Sequence, residues 1–280
     1  MLRVSAAQRL DQWIVAHGYA ATREEAQAAI MAGDVTVDGV VADKAGRRMP
    51  PGARVAIRRP AHSYASRGGL KLAHALAAFG IDPRERTAVD LGASTGGFTD
   101  CLLQAGAARV YAVDVGRGQL AWRLRTDPRV VCLEGVNARH LTPAQVGGPC
   151  DLVTVDLAFI SLRLVWKAIA ALVRPGGDVI ALIKPQFEAG RAHVGRGGVV
   201  RDPTVHEAVL RSALDTAAAA GLVPLALTPS PVTGPAGNIE YLVHLRPAPA
   251  ASASVDVAAV VGDAQARFPN ARIPLRRRRP

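Results

Sequence analysis

The feature that most limits what this chain can fold into is a regular alternation, from about residue 66 to 247, of short β-branched apolar runs and longer stretches with helical periodicity. The runs fall near 87–92, 109–114, 130–133, 151–156, 178–183, 222–228 and 239–246, and the helical stretches near 69–79, 97–105, 161–173 and 204–220. Strands joined through helices return to the same edge of a sheet, so the pattern predicts a doubly wound, mostly parallel sheet covered on both faces. Only Ser230 to Asn238 separate the last two runs. That is too short for a helical crossover of about a dozen residues, so these two strands pair antiparallel. The fold class is α/β: a Rossmann-like seven-stranded domain over 66–247 whose closing hairpin sets it apart from nicotinamide-binding domains.

A smaller α+β unit precedes it. Residues 8–17 read as a helix ending at Gly18, and Thr22-Arg23-Glu24-Glu25 forms a capping box opening a second helix that stops at Gly33. Val35-Thr36-Val37 and Val40-Val41 flank Asp38-Gly39, a hairpin signal, and Arg54 to Arg58 alternates as a further strand. This order, with Arg9-Leu10-Asp11 at the first helix and Gly33 to Gly39 entering the sheet, resembles the RNA-binding domain named after a small-subunit ribosomal protein. The resemblance implies that Arg9, Arg23 and the basic residues around the hairpin face RNA phosphates. The domain takes residues 1–59 and an aperiodic linker takes 60–65. Residues 248–280 are Ala/Pro-rich with one weak helical stretch around 255–267, close on Arg276 to Arg279, and are expected to form a basic, disordered tail.

The net charge of +11 calls for a polyanionic partner without choosing among RNA, DNA and an anionic membrane. Cys101, Cys132 and Cys150 are widely spaced, which argues against a disulfide framework and fits a reducing cytoplasm. The histidines, His62, His74, His140 and His193 among them, form no spaced cluster, so no metal site is expected. No window reaches about 18 uncharged apolar residues, and Arg9 and Asp11 interrupt what would be the core of a signal peptide, so neither membrane spanning nor export is expected.

Asp90-Leu91-Gly92-Ala93-Ser94-Thr95-Gly96-Gly97-Phe98-Thr99 ends a strand, turns on small residues and starts a helix, letting backbone approach a ligand at the carboxyl edge of the sheet. The spacing is not that of a pyrophosphate loop, and Asp90 before the first glycine would repel a pyrophosphate. The same carboxylate suits the ammonium of S-adenosyl-L-methionine. Asp114 closes the next strand, 22 residues beyond Gly92, where an acidic side chain accepts both ribose hydroxyls of an adenosine. Asn137, after the third strand, is placed to bond the adenine edge.

The fourth strand delivers Asp156 to the carboxyl edge and the fifth delivers Lys184. Thirty of the 34 basic residues are Arg, leaving only Lys44, Lys71, Lys167 and Lys184, so a retained Lys is a candidate for amine chemistry. Between Gln186 and Asp202 a Gly-rich segment carries Arg191, Arg196 and Arg201, a basic loop beside Lys184 that suits a strand of RNA.

The strings SRGGLKL at 66–72, DLGASTGGFT at 90–99, VDVGRGQL at 113–120, DLAFISL at 156–162, KPQFE at 184–188, GGVVRDP at 197–203 and SPVTGPAGNIEY at 230–241 resemble the TlyA family. Its members join the RNA-binding domain to an FtsJ-like ribose methyltransferase domain. The resemblance implies a Lys-Asp-Lys-Glu tetrad on Lys71, Asp156, Lys184 and Glu240, S-adenosyl-L-methionine as cofactor, and cytidine 2′-hydroxyls of ribosomal RNA, naked or in ribosomal subunits, as substrate. Such chemistry needs a proton acceptor, which a permanently protonated Arg cannot be. A Lys can, if a neighbouring cation and burial lower its pKa, as Lys71, Lys184 and the sulfonium would for one another. Lys184 is then the base or the hydroxyl-orienting group, Asp156 holds it, and Lys71 with Glu240 fixes the ribose, while Arg67 joins the RNA-binding arginines. Family members are also described as haemolysins, but the most apolar stretches are interrupted by Asp156, Lys167 or Asp178 and no basic amphipathic helix appears, so stable membrane association is not expected. A non-catalytic ribosome-assembly factor on the same fold is the remaining alternative.

Overall fold

In the computed structural model, residues 2–3, 8–20, 23–31, 33–57, 64–195, 197–250 and 254–269 are described. Thr22 of the expected capping box, most of the expected linker, Arg196 and the terminal arginine run lie outside them.

The N-terminal unit comprises β1 (Leu2–Arg3), β2 (Gln8–Arg9), α1 (Leu10–Ala16), α2 (Arg23–Met31), β3 (Val35–Val37), β4 (Val40–Val41), β5 (Arg48–Met49) and β6 (Arg54–Ile57). One sheet runs β1-β6-β3-β4 and a second pairs β2 with β5. Asp38 and Gly39, both at positive φ, turn the β3–β4 hairpin, the backbone that a two-residue turn with right-handed strand twist requires. Leu10, Trp13 and Ile14 of α1 pack with Ala26 and Ile30 of α2 over Val35, Val37, Met49 and Val55. The two-residue strands β1, β2 and β5 are too short to show a period of two, and sequence periodicity misses them.

The larger domain follows as α3 (Gly68–Phe79), β7 (Thr87–Leu91), α4 (Gly97–Gln104), β8 (Arg109–Asp114), α5 (Trp122–Arg125), β9 (Val130–Glu134), β10 (Cys150–Val155), α6 (Trp166–Leu172), β11 (Val173–Ile183), α7 (Pro185–Glu188), α8 (Pro203–Ala219), β12 (Leu222–Pro229), β13 (Tyr241–Pro247) and α9 (Val257–Arg267). Its seven strands are ordered β12-β13-β11-β10-β7-β8-β9. Pairing is parallel except at β13, which runs antiparallel to both β11 and β12. Side chains alternate between two apolar layers: Val179, Ala181 and Ile183 of β11 enter one core and Ile180 and Leu182 the other. From β7 the chain winds outward through β8 to β9, and from β10 through β11 in the opposite sense. The gap between β7 and β10 is therefore the switch point where open sheets of this kind bind ligands.

Two expectations about element boundaries are corrected. The stretch 161–173 begins as a 3-10 turn at Leu162–Leu164 before α6, because the chain must first leave the end of β10. The weak helical stretch expected around 255–267 in a disordered tail is instead a packed helix: α9 buries Val257, Val261 and Ala264 in the same core as Val209, Ala213 and Leu222, and Asp256 caps it by accepting the Ala259 N–H at 3.0 Å. Those apolar residues recur at i, i+4 and i+7, a short signal easily outweighed by the surrounding Ala and Pro.

At the edge opposite the switch point, Asp178 is 1% exposed and gathers Arg86 Nη1 at 2.7 Å, Arg246 Nε at 2.7 Å and His244 Nε2 at 2.8 Å. Burial pushes its carboxyl up, but these donors outweigh burial and hold it well below the usual carboxylate range. A depressed folded-state pKa contributes stability above the unfolded pKa, near 4, that is lost as pH falls towards the folded value. Asp178→Asn is expected to destabilise the domain by about 2 kcal/mol at neutral pH, discounted for the exposure of both arginines. Thermal melts should show the gap between wild type and variant narrowing below about pH 4; a gap that stays constant with pH would contradict this role.

Candidate active site

Gly92 opens the turn after β7 at φ +88°, and a Cβ on it would lie 2.5 Å from the carbonyl oxygen of Asp156. Glycine is thus what lets this turn close against the end of β10. Ser94 has φ +47°, and Asp114 holds it there: Oδ2 accepts the Ser94 N–H at 2.8 Å while Oδ1 accepts that of Gly116 at 2.7 Å. Gly96, also at positive φ, leaves room for Leu124 of α5, and Gly97 leaves room for the Ser66 hydroxyl. The β7 turn, the ends of β10 and β11, the start of α3 and the entry to β13 converge on a cavity of about 230 Å³.

Of the residues singled out in the sequence, Arg67, Lys71, Gly92, Ser94, Thr95, Gly97, Phe98, Asp156, Lys184 and Glu240 line this cavity, and Asp90, Gly96, Asp114 and Asn137 do not. Lys71 Nζ pairs with Glu240 Oε2 at 2.5 Å, and Lys184 Nζ with Asp156 Oδ1 at 2.6 Å. Lys71 and Glu240 are almost wholly buried, at 7% and 2% exposure. Burial alone would lower the Lys71 pKa, but Glu240 and Asp156 outweigh it, so the proton is held more tightly than on an ordinary lysine. This corrects, for Lys71, the expectation that the two lysines lower one another. Each cation has a carboxylate closer than the other cation. Burial pushes Asp156 up, Lys184 and Lys71 pull it down, and the net shift is downward.

Asp90 is corrected as well. Its carboxylate has no solvent exposure and accepts the Thr99 hydroxyl at 2.7 Å and the Thr154 hydroxyl at 3.1 Å, tying β7 to α4 and β10 beneath the cavity. Burial raises its pKa to about 7 against the pull of those hydrogen bonds. Gripping an ammonium directly is not the role this placement gives it. Asn137 is exposed and caps the 3-10 turn Ala138–His140, its Oδ1 accepting the Arg139 N–H at 3.0 Å.

Arg67 donates from Nη2 to the Thr233 carbonyl at 3.2 Å at the cavity rim. Arg191 is exposed in a 3-10 turn after α7, and Arg201 is half-buried. In the N-terminal unit, Arg9 places Nε and Nη2 on the buried Asp11 carboxylate at 3.0 and 2.9 Å, and Arg23 adds Nη2 at 3.0 Å. One carboxylate therefore holds two half-exposed guanidiniums side by side with an excess positive charge.

Sequence reasoning did not single out Ser66, Thr233 and Pro235, which also line the cavity. They lie inside SRGGLKL and SPVTGPAGNIEY, so the motif carried the signal even though the residue types do not declare it. Phe159, 91% exposed at φ +62°, pairs with Phe187 at 5.2 Å, and Lys184 Nζ lies 5.8 Å from the Phe187 ring. An exposed aromatic face thus stands beside the Lys184–Asp156 pair.

Residues 64–247 match the FtsJ-like methyltransferase family, and residues 8–55 match the S4 domain. The 16S/23S rRNA (cytidine-2′-O)-methyltransferase TlyA of Mycobacterium tuberculosis (strain ATCC 25618 / H37Rv) is 45% identical over 239 residues, spanning 85% of this chain and 89% of that protein. Hemolysin A of Brachyspira hyodysenteriae is 39% identical over 237 residues, 84% of this chain and 98% of that one. A solved structure from Streptococcus thermophilus, titled as a candidate hemolysin, matches with a TM-score of 0.74 at 40% identity and covers 95% of this chain and 98% of its own. With an S4 domain at one end, an FtsJ-like domain over most of its length and such relatives, this chain belongs to the TlyA family of methyltransferases.

Proposed function

We propose that this protein transfers the methyl group of S-adenosyl-L-methionine to cytidine ribose 2′-hydroxyls of ribosomal RNA, as a cytoplasmic enzyme working on RNA or ribosomal subunits. The observation that carries the proposal is the pair of lysine–carboxylate contacts, Lys71–Glu240 and Lys184–Asp156, in one cavity beside the Gly92–Phe98 turn. That turn fits the cofactor: a Cβ at Gly92 would close its approach to Asp156, and the Asp114 carboxylate at the end of β8 retains lone pairs for ribose hydroxyls beyond the two N–H groups it accepts. S-adenosyl-L-methionine supplies an electrophilic methyl on a sulfonium leaving group.

A ribose hydroxyl is a weak nucleophile and must be aligned and relieved of its proton as the new O–C bond forms. Lys184, lodged on Asp156 at the end of β11, orients the hydroxyl or takes its proton. Lys71, whose proton Glu240 holds tightly, acts as a fixed cation beside the ribose and does not serve as a base. The Phe159–Phe187 pair offers the target base a stacking face. Arg67, Arg191 and Arg201 meet the RNA on its approach, and the Arg9–Asp11–Arg23 cluster serves as a distal phosphate contact.

With labelled cofactor and separated ribosomal subunits, Lys184→Ala should lose methyl incorporation by roughly 10²- to 10⁴-fold while cofactor affinity is retained. Lys184→Arg should not restore it, because a guanidinium cannot accept the proton; near-full turnover in either variant would sink the assignment. Gly92→Ala should abolish cofactor binding measured by calorimetry, and a variant that binds normally would place the cofactor elsewhere. Arg9→Ala and Arg23→Ala should each reduce the slope of log affinity for RNA against log salt by about 0.7 to 0.9 and leave cofactor affinity unchanged. An unaltered slope in both would show that these guanidiniums do not meet phosphate.

A further inference from the structure

Glu240 is bracketed in sequence by two residues that hold the same distant peptide. Asn238, 2% exposed, accepts the Val200 N–H through Oδ1 at 3.0 Å and donates through Nδ2 to the Gly198 carbonyl at 2.8 Å. On the other side of Glu240, the Tyr241 hydroxyl lies 2.7 Å from His206 Nδ1, and His206 Nε2 lies 3.0 Å from the Val200 carbonyl oxygen. A carbonyl oxygen can only accept, so Nε2 carries the proton and Nδ1 accepts from the tyrosine hydroxyl. Burial lowers the pKa of His206 and keeps the ring neutral, in the form this relay needs. Both polar groups of Val200 are thereby bonded, one directly and one through His206, by the two sides of the catalytic glutamate.

Val200 belongs to the arginine-bearing loop after α7. Among the described residues the turn ties itself through two backbone bonds, Gly195 N–H to the Val199 carbonyl and Gly198 N–H to the Gly195 carbonyl, both at 3.1 Å, with Gly197 and Gly198 at positive φ. The residue after Val200 is Arg201, whose Nε is buried without an acceptor among the described residues. A buried donor in that state costs free energy that contacts elsewhere along the segment must offset.

We infer that Asn238 and the Tyr241–His206 pair are positioning residues that clasp the arginine-bearing loop to Glu240, so that RNA seated on the loop is held in register with the Lys71–Glu240 pair. The part of this inference that concerns RNA rests on the methyl-transfer reading above; the clasp itself does not. Neither Asn238 nor Tyr241 lines the cavity, so their effect on the reaction runs through the loop and Glu240.

The test uses the full-length protein with labelled S-adenosyl-L-methionine and ribosomal subunits. Asn238→Ala and the milder Tyr241→Phe, which removes only a hydroxyl, should each lower kcat by roughly 10- to 100-fold, with cofactor affinity unchanged. The double variant should fall well short of the product of the two effects, because both act through Val200. Limited trypsin digestion should cut at Arg191 or Arg201 at least about fivefold faster in each folded variant than in wild type. Wild-type kcat in both variants, multiplicative effects in the double, or a loss that vanishes at a temperature where both are fully folded would overturn the inference. Should wild type itself methylate nothing, the functional reading fails. The digestion arm still decides the clasp, since unchanged loop cleavage would refute it.

Discussion

The contact on which the site depends is between two backbones: Gly92, at positive φ, set against the carbonyl of Asp156. It draws the turn after β7 and the end of β10 together at the point where the winding of the sheet reverses. Asp156 is thereby placed at the lip of that gap, and the next strand outward, β11, places Lys184 beside it at 2.6 Å. The antiparallel entry of β13 next to β11 brings Glu240 to the same edge, where α3 meets it with Lys71. A single close approach, open only to glycine, thus carries four side chains from four elements into one cavity.

Burying four charges is tolerable because they alternate. Moving an isolated lysine into a site as closed as that of Lys71 would cost several kcal/mol and would ordinarily be relieved by losing the proton. Here Glu240 and Asp156 reverse that tendency, and the two lysines in turn keep Asp156 ionised. The result is a neutral but strongly structured field, preorganised before any substrate enters. Asp90, only a strand away, is treated differently: lacking a cation, it is driven up to about 7 and is satisfied by two threonine hydroxyls. Two aspartates at the ends of adjacent strands therefore divide into a buried tie and a charged residue lining the cavity, according to which partner each was given.

That division marks the limit of what could be read from the chain alone. The seven strands and their closing hairpin were legible because short apolar runs alternating with helical stretches, and a final connection too short for a helix, leave little choice. Lys71 and Lys184 stood out because lysines are scarce in a chain that uses arginine nearly everywhere, while the tetrad as a set, Glu240 included, came from the family resemblance. Asp90 was misjudged because sequence places a carboxylate at the end of a strand without saying which way the pleat turns it, and Thr154, its second partner, lies 64 positions away. The raised pKa of Lys71 was equally hidden, since Glu240 approaches across 169 positions. Helix α9 was read as a weak helical stretch but its packing was not, because its apolar stripe is only three residues long and becomes meaningful only against α8 and β12, which bury it.

Strand β11 shows how the same chain applies its two kinds of cation. At its middle Asp178 is held by Arg86, Arg246 and His244, and just past its end Lys184 holds Asp156. At the first position the need is permanence: a guanidinium presents a fixed fork of donors and never loses its charge, so the carboxylate stays ionised and the edge of the sheet stays tied together. At the second, on the methyl-transfer reading proposed above, the need is a group that can give up or accept a proton, which of the two cations only the amine can do. Exchanging the two would leave charge and hydrogen bonding nearly balanced at both positions yet, on that reading, remove the property proposed for the carboxyl edge. Retention of lysine in an arginine-dominated chain therefore marks the carboxyl edge, while the partner each lysine meets, Glu240 for Lys71 and Asp156 for Lys184, sets how firmly it is held.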